Sequence, residues 1–155
     1  MREFTHTLVI NAPPAAVLDA FFDAEALAVW WQASRSVCVP RPLGSYAVEW
    51  EPTEWRDDLL GRLGGTLHGT VLEFKPGHEF FLADAYWLPP DGEPIGPMAL
   101  EATCSLKDDR TLLQVRQSGC DSLNARWIRY YDIISTGFRR ALESLKTHLE
   151  ERWEP

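Results

Sequence analysis

An acidic residue stands inside an apolar run: Asp84 is flanked by Phe80, Phe81, Leu82, Ala83, Ala85, Tyr86 and Trp87. A carboxylate turned unpaired into an apolar interior is costly, and it would hold its proton more tightly there, as a catalytic or ligand-orienting group does. In a strand that outcome needs Phe80, Leu82, Asp84 and Tyr86 to share the inner face. With Phe81, Ala83, Ala85 and Trp87 inward, Asp84 is solvated instead. Both faces are apolar enough that alternation alone does not choose. His68, between Leu67 and Gly69, is the second titratable candidate, because histidine changes charge near neutrality; a solvent-facing strand histidine is the plainer reading. Arg116 is a candidate partner for any buried carboxylate. His6, His68, His78 and His148 show no HxH or HExxH spacing, and Cys38, Cys104 and Cys120 form no CxxC pair. No metal site, cofactor or disulfide framework is therefore expected. Nucleophilic catalysis has no GxSxG elbow to rest on, and Gly61, Gly64 and Gly65 lack the lysine and helix of a phosphate loop.

The aromatic side chains are the more unusual resource. Seven tryptophans give more large aromatic surface than a core of this size requires, and each buried indole needs a partner for its N–H. Trp30 and Trp31 are adjacent, so on a helix their side chains diverge by about 100°. One is expected in the core and the other at a lid edge or over a cavity mouth. Trp50 joins them as a candidate ligand contact.

These residues must be positioned by recognisable elements. Apolar side chains at Trp127, Tyr130, Tyr131, Ile134, Phe138, Ala141, Leu142, Leu145 and Leu149 have the three-and-four spacing of one long amphipathic helix, expected from Ala125 to Trp153. Ser118, Asp121, Ser122 and Asn124 are its possible N-caps. Tyr130, Tyr131, Ile134 and Phe138 lie on its inward stripe, either as core or as cavity wall. Gly137 interrupts the helix at about 1 kcal/mol relative to alanine, as a tolerated imperfection or because something must approach the backbone. Upstream, residues 3–11 alternate as a first strand; Pro14 opens one short helix and Asp23 is placed to cap a second. From Ser34 to Gly119 the helical period is absent. Strands are expected at 34–39, 45–51, 66–74, 79–87, 98–107 and 111–118, with hairpin turns at 75–78 and 108–110. Two longer interruptions, 52–65 and 88–97, have the length of site rims or surface insertions. The order predicts an α+β fold, an antiparallel sheet of about seven strands covered on its apolar face by the long helix, with a gap between them as a natural cavity.

At 155 residues with 45% hydrophobic content the chain suits a single domain, 1–155. A formal charge of −8 argues against nucleic acid, which needs a concentrated positive field. No run reaches eighteen apolar residues and no signal-peptide pattern opens the chain, so no membrane insertion and a cytoplasmic location are expected.

Specific residues carry a family resemblance over nearly the whole chain. Ile10-Asn11-Ala12-Pro13-Pro14-Ala15-Ala16-Val17, Leu27-Ala28-Val29-Trp30-Trp31, Gly69-Thr70-Val71-Leu72-Glu73-Phe74-Lys75-Pro76, and Gly137-Phe138 followed by Leu142, Leu145-Lys146 and Leu149-Glu150 together resemble the START-like, or SRPBCC, superfamily of helix-grip proteins. Within it the chain is most similar to homologues of the activator of the ninety-kilodalton heat-shock-protein ATPase. The resemblance implies a strongly curved sheet gripping the C-terminal helix and a cavity for a small, largely apolar ligand. It departs from the family at Phe138, where tryptophan is common, and at Ala83-Asp84 after the hairpin turn, where an aromatic is usual. Members include lipid and hormone binders, aromatic-polyketide cyclases and a chaperone activator, whose additional preceding domain does not fit in 155 residues.

Three functions follow. The first is a binding domain for an apolar or aromatic ligand, held among Trp30, Trp31, Trp50, His68, Asp84, Tyr86, Tyr130, Tyr131, Ile134 and Phe138. The second is a cyclase or dehydratase, which requires two titratable groups converging in the cavity. The third is a chaperone-associated or other protein-interaction module, which requires an exposed apolar patch elsewhere. Trp55, Trp87 and Trp153 leave a homodimer as a further possibility.

Overall fold

The computed structural model describes residues 2–152; Trp153, one of the three tryptophans that leave a homodimer possible, lies outside the described residues, as does the Cys120 side chain. The first strand, β1 (Arg2–Ile10), ends at Ala12-Pro13-Pro14, and Pro14 takes the first turn of α1 (Pro14–Asp19), where its missing N–H costs nothing. Asp23 then accepts from Ala26 N at 3.0 Å and caps α2 (Ala24–Trp30). The strands follow as β2 (Arg35–Cys38), β3 (Ser45–Trp50), the two-residue β4 (Arg56–Asp57) and β5 (Gly61–Arg62), β6 (Gly65–Lys75), β7 (Glu79–Leu88), β8 (Ile95–Lys107) and β9 (Arg110–Cys120). α3 (Ala125–Arg152) closes the chain, its first turn capped by Asn124 Oδ1, which accepts from Arg126 N at 2.9 Å.

Seven strands form one antiparallel sheet in the order β1-β9-β8-β7-β6-β3-β2, as the meander of short turns requires, and β4 pairs only with β5. Pairing shifts along β6, β7 and β8 insert extra residues that bend the strands. α3 lies against the inner face and buries Tyr130, Tyr131, Phe138, Leu142, Leu145 and Leu149. It is fastened to β1 by polar contacts: Lys146 Nζ donates to Val9 O at 2.7 Å, Asn11 N donates to Glu150 Oε2 at 2.8 Å, and His6 Nε2 lies 2.9 Å from Ser135 O. Beneath the short helices an aromatic cluster of Phe21, Phe22, Tyr46 and Phe80 fills the core, and the Tyr46 hydroxyl donates to Phe21 O at 2.7 Å.

Neither simple alternation describes β7. Phe80 and Leu82 are buried, and so are Ala85 and Trp87. Between them Leu82 pairs with Leu100 and Ala85 with Met98, so Ala83 and Asp84 together oppose one residue, Ala99. Asp84 sits there with φ +49°, a left-handed conformation that aspartate tolerates better than most residues. The insertion flips the strand's inward face halfway along and leaves Asp84 exposed.

Candidate functional site

The adjacent tryptophans do not diverge. Trp31, the C-cap of α2, stacks its ring on Trp30 with centroids 4.9 Å apart and 12° between planes. Trp30 is buried and donates Nε1–H to Ala20 O at 2.8 Å, which makes it core. Trp31 presents its other surroundings to Trp50, at 5.1 Å, and Phe138, at 4.9 Å. Trp50, at the end of β3, is fixed by Nε1–H donation to Trp31 O at 2.8 Å. One aromatic wall is thus built from α2, β3 and α3.

A second wall stands at the end of β7. Trp87 donates Nε1–H to Gly64 O at 2.8 Å and stacks on Tyr130 at 5.1 Å. Tyr130, Ile134, Gly137 and Phe138 recur at helical spacing on one stripe of α3 and bridge the two walls. Between sheet and helix they enclose a cleft of about 490 Å³, floored by Leu67 and Gln117 and rimmed by Gln32, Glu51, Thr53, Leu63 and Gly64. That volume lies within the roughly 300–1,000 Å³ of small-molecule sites. A smaller groove of about 360 Å³ adjoins it, shares Trp31, Gln32 and Gly137, and carries Arg140 and Ser144.

Electrostatically the cleft is nearly neutral. Among the described residues that line it, Glu51 is the one charged side chain, and none is cationic. Burial pushes the Tyr130 hydroxyl up to about 12, with a hydrogen bond from Gln117 opposing, so it stays a neutral phenol. Gln117 itself is 3% exposed, and its Nε2 lies 3.2 Å from Met98 Sδ.

The 52–65 loop brings Thr53, Leu63 and Gly64 to the rim and is tied by charge to the 88–97 loop. Arg62 Nε and Arg56 Nη1 lie 3.0 and 3.6 Å from Asp91 Oδ2, joining the 52–65 loop to the 88–97 loop. Arg129 of α3 donates to Asp57 Oδ1 at 2.7 Å, and Arg126 donates to Glu93 O at 3.1 Å. Asp57 also accepts from the Leu59 and Leu60 amides at 3.1 Å. Burial works against its charge, but Arg129 and these amides outweigh it and hold the carboxyl below its usual range.

Of the ten residues singled out by sequence, Trp31, Trp50, Tyr130, Ile134 and Phe138 come together around the cleft. Trp30 is behind Trp31, and Tyr131 turns toward β1, 5.8 Å from Phe4. His68, Asp84 and Tyr86 are exposed on the other face of the sheet, outside the cleft lining. Arg116 pairs with Glu101 at 2.8 Å and Glu3 at 3.7 Å, both partly exposed. Gln117 and Trp87 were not foreseen as site residues. The alternation Leu113, Val115, Gln117 carries the signal for the first, since all three are buried. For Trp87, inward in one of the two alternations and outward in the other, the inserted residue at Asp84 decides the inward face of that half of the strand. Among the described residues no three His, Cys, Asp or Glu side chains converge as a metal site would.

Sheet order, long helix and intervening cleft define a START-like helix-grip protein. Residues 11–150 match the sequence profile of the family described as "Activator of Hsp90 ATPase homolog 1-like protein", and the chain belongs to that family. No curated protein matches the sequence. Among solved structures, a protein from Mesorhizobium loti superposes with a TM-score of 0.74 at 18% identity, covering 99% of this chain and 100% of that one. A Chromobacterium violaceum protein gives 0.68 at 22%, with 96% of each chain covered. The Aha1 dimer from Colwellia psychrerythraea gives 0.71 at 14%, with both chains fully covered. At these identities the likeness is one of fold.

Proposed function

We propose that this chain is a binding domain for a small apolar or aromatic molecule held between the sheet and α3. The observation that carries the reading is the cleft of about 490 Å³ between two aromatic walls, Trp31, Trp50 and Phe138 on one side and Trp87 and Tyr130 on the other. The Trp50 and Trp87 indole N–H groups are spent on backbone carbonyls, at Trp31 O and Gly64 O respectively, so these two rings offer faces and edges to a ligand without competing polar demands. Binding is favoured over acid–base turnover by the lining itself. Its titratable groups among the described residues are Glu51 at the exposed rim and Tyr130, whose hydroxyl is held protonated by burial. Neither His68 nor Asp84 reaches it.

Native mass spectrometry of the purified protein, beside a thermal-shift screen of apolar and aromatic compounds, tests the reading. A ligand at a hundred times its Kd stabilises the folded state by about 2.7 kcal/mol, which for a chain of this size raises Tm by about 5–10 °C. A protein that carries nothing and responds to no compound would count against the cleft as a binding site.

A homodimer is a second reading, favoured by Trp55, which is 55% exposed in the 52–65 loop. Sedimentation of the wild type against Trp55→Ser tests it. A species of one-chain mass at every concentration would remove it.

A further inference from the structure

We infer that Gln117 and Tyr130 form a hydrogen-bonding anchor at the floor of the cleft, which takes a neutral oxygen acceptor, such as a ketone carbonyl, on an otherwise aromatic ligand. The inference rests on the binding function proposed above and names the chemistry of its ligand.

Gln117 stands on β9 opposite Leu100 of β8 and Phe4 of β1, with its side chain on the inner face and 3% exposed. A buried carboxamide among apolar residues is costly unless its hydrogen bonds are made. It carries two N–H donors, and Tyr130 adds one O–H. Gln117 and Tyr130 both line the cleft and are near enough for the carboxamide to act on the phenol hydroxyl. Apart from each other, their one hydrogen-bond partner among the described residues is the Met98 thioether, a weak acceptor. The pair therefore has a proton left over and a second spent on sulfur, both in a cleft whose other floor residue is Leu67. A carbonyl oxygen entering the cleft exchanges a poor acceptor for a good one.

The same surroundings select against charge. A carboxylate at the floor would meet no cationic side chain among the described lining residues, and Arg140 lies in the adjoining groove, beyond Gly137. Desolvating an anion without a partner costs far more than desolvating a ketone. Tyr130 stacks on Trp87, so an aromatic ring delivered to its hydroxyl lies along the aromatic wall.

Isothermal titration calorimetry with three probes of one shape tests the anchor: 2-acetylnaphthalene, 2-ethylnaphthalene and 2-naphthoate. The ketone is expected to bind about five- to tenfold more tightly than the hydrocarbon, as one net hydrogen bond gives, and the carboxylate more weakly than the ketone. Gln117→Met, an apolar replacement of similar length, is expected to bring the ketone-to-hydrocarbon ratio close to one, and Tyr130→Phe to reduce it. The Tyr130→Phe variant keeps the test valid if Gln117→Met does not fold. Equal affinity for ketone and hydrocarbon, an unchanged ratio in both variants, or tighter binding of the carboxylate than the ketone would overturn the anchor while leaving the binding function standing. If none of the three probes binds, the cleft is not an aromatic-ligand site and both readings fall together.

Discussion

Arg129 Nε lies 2.7 Å from Asp57 Oδ1, and that contact fastens the first turns of α3 to the β4–β5 hairpin, whose two short strands pair only with each other. Asp57 is 6% exposed and holds the Leu59 and Leu60 amides as well, so its loss unties the whole tip of the 52–65 loop. Asp57→Ala is expected to cost about 1–3 kcal/mol, read as a lower urea midpoint. The pH dependence has a defined sign. A carboxyl held below its ordinary value of 3.8 contributes stability above that pH and loses it as pH falls through the folded-state value. The advantage of wild type over Asp57→Asn should therefore be constant near neutrality and shrink only below about pH 4. An advantage that disappears between neutrality and pH 5 would mean that another group is responsible.

Gly137 gives the opposite kind of prediction. A Cβ added there would meet nothing within 4 Å, so no close approach by the protein requires glycine. Gly137→Ala is expected to stabilise the empty protein by up to about 1 kcal/mol, through helix propensity, and to raise Tm by about 2–4 °C. Because Gly137 lines the cleft, the same methyl group should weaken a ligand that packs against the helix. Differential scanning calorimetry with and without ligand separates the two effects.

Phe138 belongs to both core and cleft. It is 3% exposed, 6.1 Å from Phe4 and 4.9 Å from Trp31. Phe138→Ala should destabilise by about 3–5 kcal/mol, because two aromatic neighbours lose their packing partner. Equilibrium urea unfolding measures it, and a loss under about 1 kcal/mol would place the ring in the cleft wall alone.

The thiols offer a simple check of burial. Desolvation pushes Cys38 up to about 11, with a backbone hydrogen bond at Ala47 opposing, and Cys104 up to about 12. Thiolate is the reactive form, so alkylation of both in native protein near pH 8 should be more than about a hundredfold slower than in urea. Peptide mapping reads each cysteine separately.

The long elements were legible because their signals are local and repeated. Six buried positions of α3 from Tyr130 to Leu149 keep one helical face, and Pro14 and Asp23 mark helix starts by chemistry that acts within a turn. What could not be read depends on single residues meeting distant ones. The β4–β5 hairpin exists because Arg129, seventy-two residues away, reaches Asp57. The Trp30–Trp31 stack is held where Trp31 also meets Trp50 and Phe138, from β3 and α3. The inserted residue at Asp84 was hidden because both faces of β7 are apolar, so the period-two pattern gave no contradiction to mark the slip. Tyr130 and Tyr131 share one inward stripe, yet Tyr130 meets the open end of the sheet at Trp87 and Tyr131 meets Phe4. Only the sheet's outline separates cleft wall from core.

That slip at Ala83 and Asp84 divides β7 into two halves with different duties. Before it, Phe80 and Leu82 belong to the closed aromatic packing under α1. After it, Ala85 and Trp87 turn toward the open end, where Trp87 lines the cleft. Changes in the later half alter what the cleft admits without disturbing the packing that holds the sheet to the short helices. A strand jointed in this way can change at its open end while its foundation under the short helices stays the same.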